Sequence, residues 1–295
     1  VVARRRRHPV GNQGMTALVF GSTGQVALEL QRRLPDAVFL PRAAADLADP
    51  AACAAAIRAQ RPSHVINAAA WTAVDRAETE EAAATVVNAD APAAMAQACA
   101  DLGIPFLHIS TDYVFDGSGT RPFTPTDPTA PIGAYGRSKA KGEAGVRAAG
   151  GAHLILRTSW VVSAHGTNFV KTMLRLGATR ETLSVVADQI GGPTPAADIA
   201  QTLIAAAQAM RQGHVGGTHH LSGAPDTSWA DFAREIMARA ALPCQILDIP
   251  TSAYPTPARR PLNSRMDCGS LHAAFGVSRP DWQQGLDRIL KELSI

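Results

Sequence analysis

The sequence predicts an α/β fold, a doubly wound parallel sheet with a smaller C-terminal lobe, and three observations predict it. Short apolar runs alternate with alanine-rich helical stretches through the first half. A glycine turn follows the first of those runs and opens the first helix. After about residue 160 the alternation loosens into shorter strands and proline-rich connections. Regular alternation of strand and helix implies right-handed crossovers and a sheet covered on both faces.

Buried strands are expected at Ala17–Phe20, Ala37–Leu40, His64–Asn67, Phe106–Ser110 and His153–Arg157. Helices are expected near Gln25–Arg33, Pro50–Ala59, Glu80–Leu102 and Tyr135–Ala149. This dinucleotide-binding type of arrangement, a Rossmann domain, is expected over residues 15–160. Residues 161–295 are expected to form mainly the smaller lobe, with segments returning to the main sheet. Its helices fall near Asn168–Leu176, Ala196–Gln212, Ser228–Ala241 and Asp281–Leu293, and its strands at Ser184–Val186, Thr218–Leu221 and Gln245–Ile249. Four prolines make Pro250–Pro261 an extended connection.

Bulk properties narrow the class. Hydrophobic residues make up 46% and charged residues 18%, values of an ordinary globular protein. The net charge of +3 is uneven: Arg4 to Arg7 supply four positive charges in a segment without acids. Residues 1–14 read as a disordered basic extension, and without it the chain is close to neutral, which argues against a nucleic-acid partner. Cys53, Cys99, Cys244 and Cys268 are far apart and form no CxxC pair, so reduced thiols, no metal site and a cytoplasmic location are expected. No apolar run approaches the roughly 18 residues of a membrane span.

The stretch Leu18 to Ala27 reads strand, glycine turn, helix start. Gly21 permits the turn and Gly24 admits an anion close to the backbone, with Thr23, Gln25 and Val26 beside them. Amides at the helix N-terminus then face a pyrophosphate. An acid that would bind a ribose 2′-hydroxyl is missing after the second strand, where Pro41-Arg42 stands. Arg42 suits a 2′-phosphate, with Asp46 and Leu47 flanking the adenine, so NADPH is favoured and NADH possible as cofactor. The small side chains of Ala68, Ala69 and Ala70, ending the third strand, would let a cofactor lie against backbone.

Tyr135 and Lys139 are four residues apart, on one helical face. An ammonium beside a phenol favours phenolate and lowers its pKa from roughly 10. That makes the phenol a usable acid for a developing alkoxide. Thr111, at the end of the preceding strand, can bring a hydroxyl to the same carbonyl oxygen, because ligands in such sheets bind beyond the carboxyl ends of the strands.

The Gly21-x-x-Gly24 turn, Asn67–Ala70, Ser110–Phe115 and Tyr135-x-x-x-Lys139 together resemble the extended short-chain dehydrogenase/reductases. Segments Thr72–Glu78, Arg157–Val161, Asn168–Leu174, Asp188–Thr194 and Pro250–Ala258 narrow the likeness to the dTDP-4-dehydrorhamnose reductases, over about Met15 to Leu293. The resemblance implies reduction of the C4 ketone of a dTDP-linked 4-keto-6-deoxysugar by NAD(P)H, and a C-terminal lobe that binds that substrate. It implies a catalytic trio of Thr111, Tyr135 and Lys139, with Lys139 also on the nicotinamide ribose and Thr72 on the cofactor. Asp112, Tyr113 and Trp160 would contact the sugar nucleotide. On charge alone, the late-loop arginines Arg259, Arg260 and Arg265 suit its pyrophosphate, and Arg265 is taken as the substrate-binding one. Trp71 departs from the histidine often found there. A monomer or a homodimer fits equally. Two alternatives stay open: a 4-ketoreductase for another nucleotide-linked deoxysugar, and a non-catalytic regulatory subunit of the methionine adenosyltransferase type. Dehydration is disfavoured, since Tyr113 stands where a dehydratase carries glutamate.

Overall fold

The computed structural model describes residues 16–295, and the basic extension expected at 1–14 lies outside the described residues. Five strands follow the expected runs: β1 (Ala17–Phe20), β2 (Val38–Leu40), β3 (His64–Asn67), β4 (Phe106–Thr111) and β5 (His153–Thr158). A sixth, Gly216–Leu221, comes from the second half of the chain. Their order across the sheet is Gly216–Leu221, β5, β4, β3, β1, β2, all parallel. The chain leaves β1 to one side for β2, then returns to lay β3 on the other side of β1. Ligand crevices open beyond the strand ends at such a reversal. In register, Phe20 lies beside Asn67, Asn67 beside His108 and Thr111 beside Thr158, so these strand ends share one rim.

Period-two alternation divides the strand residues between two cores. Leu18, Phe20, Val65, Phe106 and Ile155 face one way, where Ile57, Met95 and Val146 cover them. Val19, Ile66, Leu107, Leu154 and Leu156 face the other, against Val26 and Leu30 of α1 (Gln25–Arg33) and the alanine-rich helix Ala196–Arg211. The second half therefore supplies both an edge strand and a covering helix to the main sheet. The rest of it has its own core, in which Val170, Met173, Leu183, Phe232, Ile236, Trp282 and Leu286 meet.

Local chemistry explains the helix ends. Pro50 opens α2 (Pro50–Gln60) and the Asp49 carboxylate accepts from the Ala52 amide, a standard N-terminal cap. Asn168, Ser228 and Asp281 cap three helices of the second half in the same way. The helix expected over Glu80–Leu102 is instead broken, with a π-helical turn at Val86–Asp90 between Glu81–Thr85 and Ala91–Leu102. Pro92 has no amide to give the Asn88 carbonyl, which an α-helix would require. The Asn88 side chain uses the wider turn to reach across: it accepts from the Trp71 amide at 2.9 Å and donates to the Trp71 carbonyl and to Ser138 Oγ.

One buried ion pair ties the helix Ala134–Ala148 to the sheet. Arg157 on β5 donates from Nε and Nη2 to both oxygens of Glu143, at 2.8 and 2.6 Å, and Ser110 Oγ on β4 donates to the same carboxylate at 2.7 Å. Removing one partner strands a charge in a dry interior. Arg157→Leu is expected to cost about 3–5 kcal/mol of unfolding free energy, measured by urea denaturation. A loss below about 1 kcal/mol would show that Glu143 finds solvent or another partner.

Candidate active site

A cleft of about 860 Å³ opens over the rim between β1 and β3, lined on one side by Gly21 to Val26 and on the other by β4 and the helix Ala134–Ala148. Gly21 sits at φ +99°, and a Cβ built there would meet the Ala68 carbonyl group and the Ala69 Cβ at 3.3 Å. The turn therefore packs its backbone directly on the Asn67–Ala70 segment, and its amide donates to the Leu40 carbonyl. Gly24 caps α1 without any side-chain hydrogen bond, and no acid occupies the first turn. Early helix amides lack intrahelical acceptors and carry the positive end of the helix dipole. This turn and helix start fit a dinucleotide pyrophosphate.

All the residues expected to hold a cofactor line this cleft: Gly21, Thr23, Gly24, Gln25, Val26, Arg42, Asp46, Leu47, Ala68, Ala69, Ala70, Thr72, Tyr135 and Lys139. They do not all present side chains. The Gln25 amide is spent on the second lobe, donating to the Val161 carbonyl and accepting from Ser163 Oγ and Asn168 Nδ2. Leu47 is buried in the core, and the Asp46 carboxylate accepts from the Ala48 amide. Arg42 is exposed at the cleft edge.

Thr111, Tyr135 and Lys139 come together across the cleft from the glycine turn. Thr111 ends β4; its hydroxyl donates to Asp112 Oδ1 at 2.9 Å and accepts from the Tyr113 amide. Gly136 lets the helix approach, since a Cβ there would fall 2.1 Å from the Tyr113 carbonyl oxygen. The Tyr113 ring meets the Tyr135 ring edge-on, centroids 5.6 Å apart. Lys139 is buried; its Nζ donates to the Ile109 carbonyl at 2.7 Å and contacts His108 Nε2 at 3.1 Å. Ile109 is available because β4 runs past its last pairing with β3, at His108.

Burial dominates the electrostatics. It raises the Asp112 carboxyl to about 6, while the hydroxyls of Ser264 and Thr111 favour the ion. It lowers the Lys139 ammonium to about 8, with Glu143 opposing. The Tyr135 phenol is pushed up, first by burial and then by the Asp112 charge, with Thr111 pulling the other way. The phenolate-favouring effect expected from Lys139 is thus not what the structure gives. The lysine is occupied at Ile109 and His108, and desolvation and Asp112 outweigh it at the phenol.

Of the expected substrate contacts, Asp112, Tyr113 and Trp160 line the cleft. Asp112 Oδ2 is buried with no partner in the protein, an acceptor available to a ligand hydroxyl. Trp160, at φ +48°, stacks on Trp229 with centroids 3.7 Å apart while it lines the cleft. Arg265 departs from expectation. Its side chain turns to Asn263 Oδ1 at 3.1 Å and toward Asp226, away from the cleft lining. Among the late-loop arginines, Arg260 pairs with Asp75 at 2.8 Å, and its charge acts on the Tyr113 phenol. Sequence reasoning missed Asn88 and His108. A π-turn leaves no periodic signal, and an interior strand histidine reads as packing. The four cysteines are free and buried, as expected. No metal site was expected, yet Glu29, His165 and Glu292 gather their ligand atoms within 4.8 Å outside the cleft, where Arg32 and Arg33 pair with Glu29. Among the described residues no helix is long and apolar enough to cross a membrane.

The Asp112 shift makes a stability prediction. Its folded value lies above the ordinary carboxylate value, so between about pH 4 and 6 the native state binds a proton more tightly than the unfolded chain. Native stability therefore falls as pH rises through that window. Asp112→Asn should remove this part of the decline, seen as a smaller difference between urea midpoints at about pH 4 and pH 7. An unchanged difference would refute the burial argument.

The family model described as the RmlD substrate binding domain matches residues 15–295. A dTDP-4-dehydrorhamnose reductase of Burkholderia thailandensis is 45% identical, the alignment covering 95% of this chain and 99% of that protein. One from Escherichia coli K12 is 42% identical, covering 95% and 98%. Among solved structures, the dTDP-4-dehydrorhamnose reductase of Clostridium acetobutylicum matches with a TM-score of 0.89 at 34% identity, over 95% of this chain and all of that one. The Bacillus anthracis enzyme, solved in complex with NADP, matches with a TM-score of 0.88 at 34% identity, over 95% and 99%. Cleft, trio and likeness agree over nearly the whole length, and the chain belongs to the dTDP-4-dehydrorhamnose reductase family.

Proposed function

We propose that this chain reduces the C4 ketone of dTDP-4-dehydro-L-rhamnose to give dTDP-L-rhamnose, with NAD(P)H as reductant, in the synthesis of cell-surface polysaccharide precursors. The observation that carries the reading is one cleft lined by a glycine turn on one side and by Thr111, Tyr135 and Lys139 on the other. The NADP complex of a 34% identical relative supports NADPH as the cofactor.

The amides of Gly21 to Val26 would hold the pyrophosphate, Arg42 a 2′-phosphate, and the Ala68–Ala70 backbone the rest of the dinucleotide. Bound there, the reduced nicotinamide supplies a hydride to C4. Tyr135 holds its proton at neutral pH because its phenol is buried near Asp112. It then protonates the C4 oxygen, since an alkoxide is a far stronger base than a phenolate. General acid catalysis of this kind contributes roughly 10²–10⁴-fold. Thr111, whose hydroxyl donates to Asp112 in the free protein, turns to the carbonyl oxygen and aligns it. Lys139 offers an N–H to the ribose. Asp112 Oδ2 accepts from a sugar hydroxyl, and Tyr113 and Trp160 flank the sugar nucleotide.

Tyr135→Phe should lower turnover at least about a hundredfold while NADPH binding stays nearly intact. The assay follows NADPH or NADH oxidation by absorbance with thymidine- and guanosine-linked 4-keto sugars. Turnover near the parent value would refute the acid role, and no oxidation with any of these sugars would refute the reductase reading. Gly21→Ala, which forces a side chain into a left-handed backbone at a tight contact, should weaken NADPH binding by about tenfold or more. Fluorescence titration reads it, and unchanged affinity would place the pyrophosphate elsewhere.

A further inference from the structure

Trp160 lines the cleft, but the residues that hold it in place do not. It stands two residues after β5, and its backbone takes φ +48°, a left-handed conformation that a bulky side chain rarely adopts. Such a conformation persists only where the surroundings fix it. Here the Ser159 hydroxyl donates to the Gly192 carbonyl at 3.0 Å, and the Thr194 amide donates to the Trp160 carbonyl at 3.1 Å. The chain is therefore pinned on both sides of the turn.

The indole is fixed separately, by the second lobe. One of its faces lies on Trp229, with ring centroids 3.7 Å apart and planes 14° from parallel. Trp229 opens the helix Trp229–Arg239, and Phe169 tilts against it with centroids 4.5 Å apart. The residues just before it, Thr227 and Ser228, pair with Gly191 and Ile190 in a short antiparallel ladder. That ladder also brings Gly191 to the indole. A Cβ built on Gly191 would fall 3.0 Å from Trp160 Cε2. The same pair of short strands thus sets both Trp229 and Gly191 against one ring, and the ring has little room to swing.

We infer that Trp229 is a positioning residue for the sugar nucleotide: from outside the cleft it holds the Trp160 indole as a fixed wall. The face turned to Trp229 is closed to ligand, so the substrate meets the part of the ring that remains on the cleft. A side chain ordered before binding does not have to be frozen at the moment of binding, and affinity is higher for it. The second lobe in this way sets substrate affinity through a residue that never touches substrate. Its ligand is taken from the reductase reading, on which the role therefore rests.

Far-UV circular dichroism reads the stack directly, because two indoles in contact give an exciton couplet. The couplet should vanish in Trp160→Phe and in Trp229→Leu. It should persist when dTDP-L-rhamnose saturates the unaltered protein. Loss of the couplet on binding would mean that Trp160 leaves Trp229 to meet the ligand, and it would overturn the inference without any variant having to fold.

Trp229→Leu keeps an apolar side chain in place and removes the stack. The dissociation constant of dTDP-L-rhamnose, by calorimetry, and the KM for the 4-keto sugar nucleotide should each rise roughly three- to tenfold. The kcat should stay within about twofold and NADPH affinity should not change. Trp229→Phe, which restores an aromatic face, should recover most of the loss. Mere destabilisation would act differently, since fewer active molecules lower the apparent kcat at constant KM. Unchanged ligand affinity in Trp229→Leu, or a fall in kcat alone, would refute the positioning role. A protein that binds dTDP-L-rhamnose yet turns over no 4-keto sugar would sink the reductase reading while the calorimetric comparison still decides this one. If the unaltered protein bound no dTDP-L-rhamnose, both would fall.

Discussion

The bidentate contact between Glu143 and Arg157 is the constraint on which the site depends. Glu143 lies two turns along the helix that carries Tyr135 and Lys139, and Arg157 lies on β5. Ser110, the residue before Thr111, closes the contact from β4. One carboxylate thereby sets the helix against the strand end that presents the hydroxyl of the trio. Arg157 also stacks over Phe115 and reaches His220, whose ring bonds the Phe123 carbonyl, so the anchor extends under the loop after β4. Buried ion pairs often contribute little net stability, because desolvation offsets their attraction. Their geometric demand is strict, and here that demand falls on the helix bearing Tyr135 and Lys139.

Around this anchor, exclusion of water decides the charge states. Asp112 and Lys139 are both almost fully buried, so each moves toward its neutral form. The partnerless Asp112 Oδ2 and the contact between Lys139 and His108 are consequences of the same dry interior. In such a medium a hydrogen-bond donor or acceptor counts for more than it would in water. The glycine turn across the cleft is also exact in its requirements, for Gly21 and the Ala68–Ala69 backbone touch. Alanine at 68 to 70 and glycine at 21 are therefore two halves of one surface.

Much of the fold could be read in advance because it follows local rules. Alternating apolar residues set β1 to β5 within a residue or so, and caps such as Asp49-Pro50 mark helix starts. The helix at Ala134–Ala148 puts Tyr135 and Lys139 on one face by spacing alone. The break at Val86–Asp90 escaped, although Pro92 was its trace. A periodic pattern does not say which carbonyl loses its donor, nor that Asn88 would use the gap to hold Trp71. Arg265 was misplaced for a related reason. Three arginines in one loop look alike until Asp226 and Asn263 claim one and Asp75 another.

By itself the sequence determined the alternation of elements, the glycine turn and the placing of Tyr135 and Lys139 on one helical face, since these depend on neighbours within one or two helical turns. Tertiary structure alone decided the strand order, the return of Gly216–Leu221 and Ala196–Arg211 to the main sheet, and the protonation tendencies of the buried groups. Those outcomes depend on which distant residues remove water from a side chain. Desolvation belongs to no single segment of the chain.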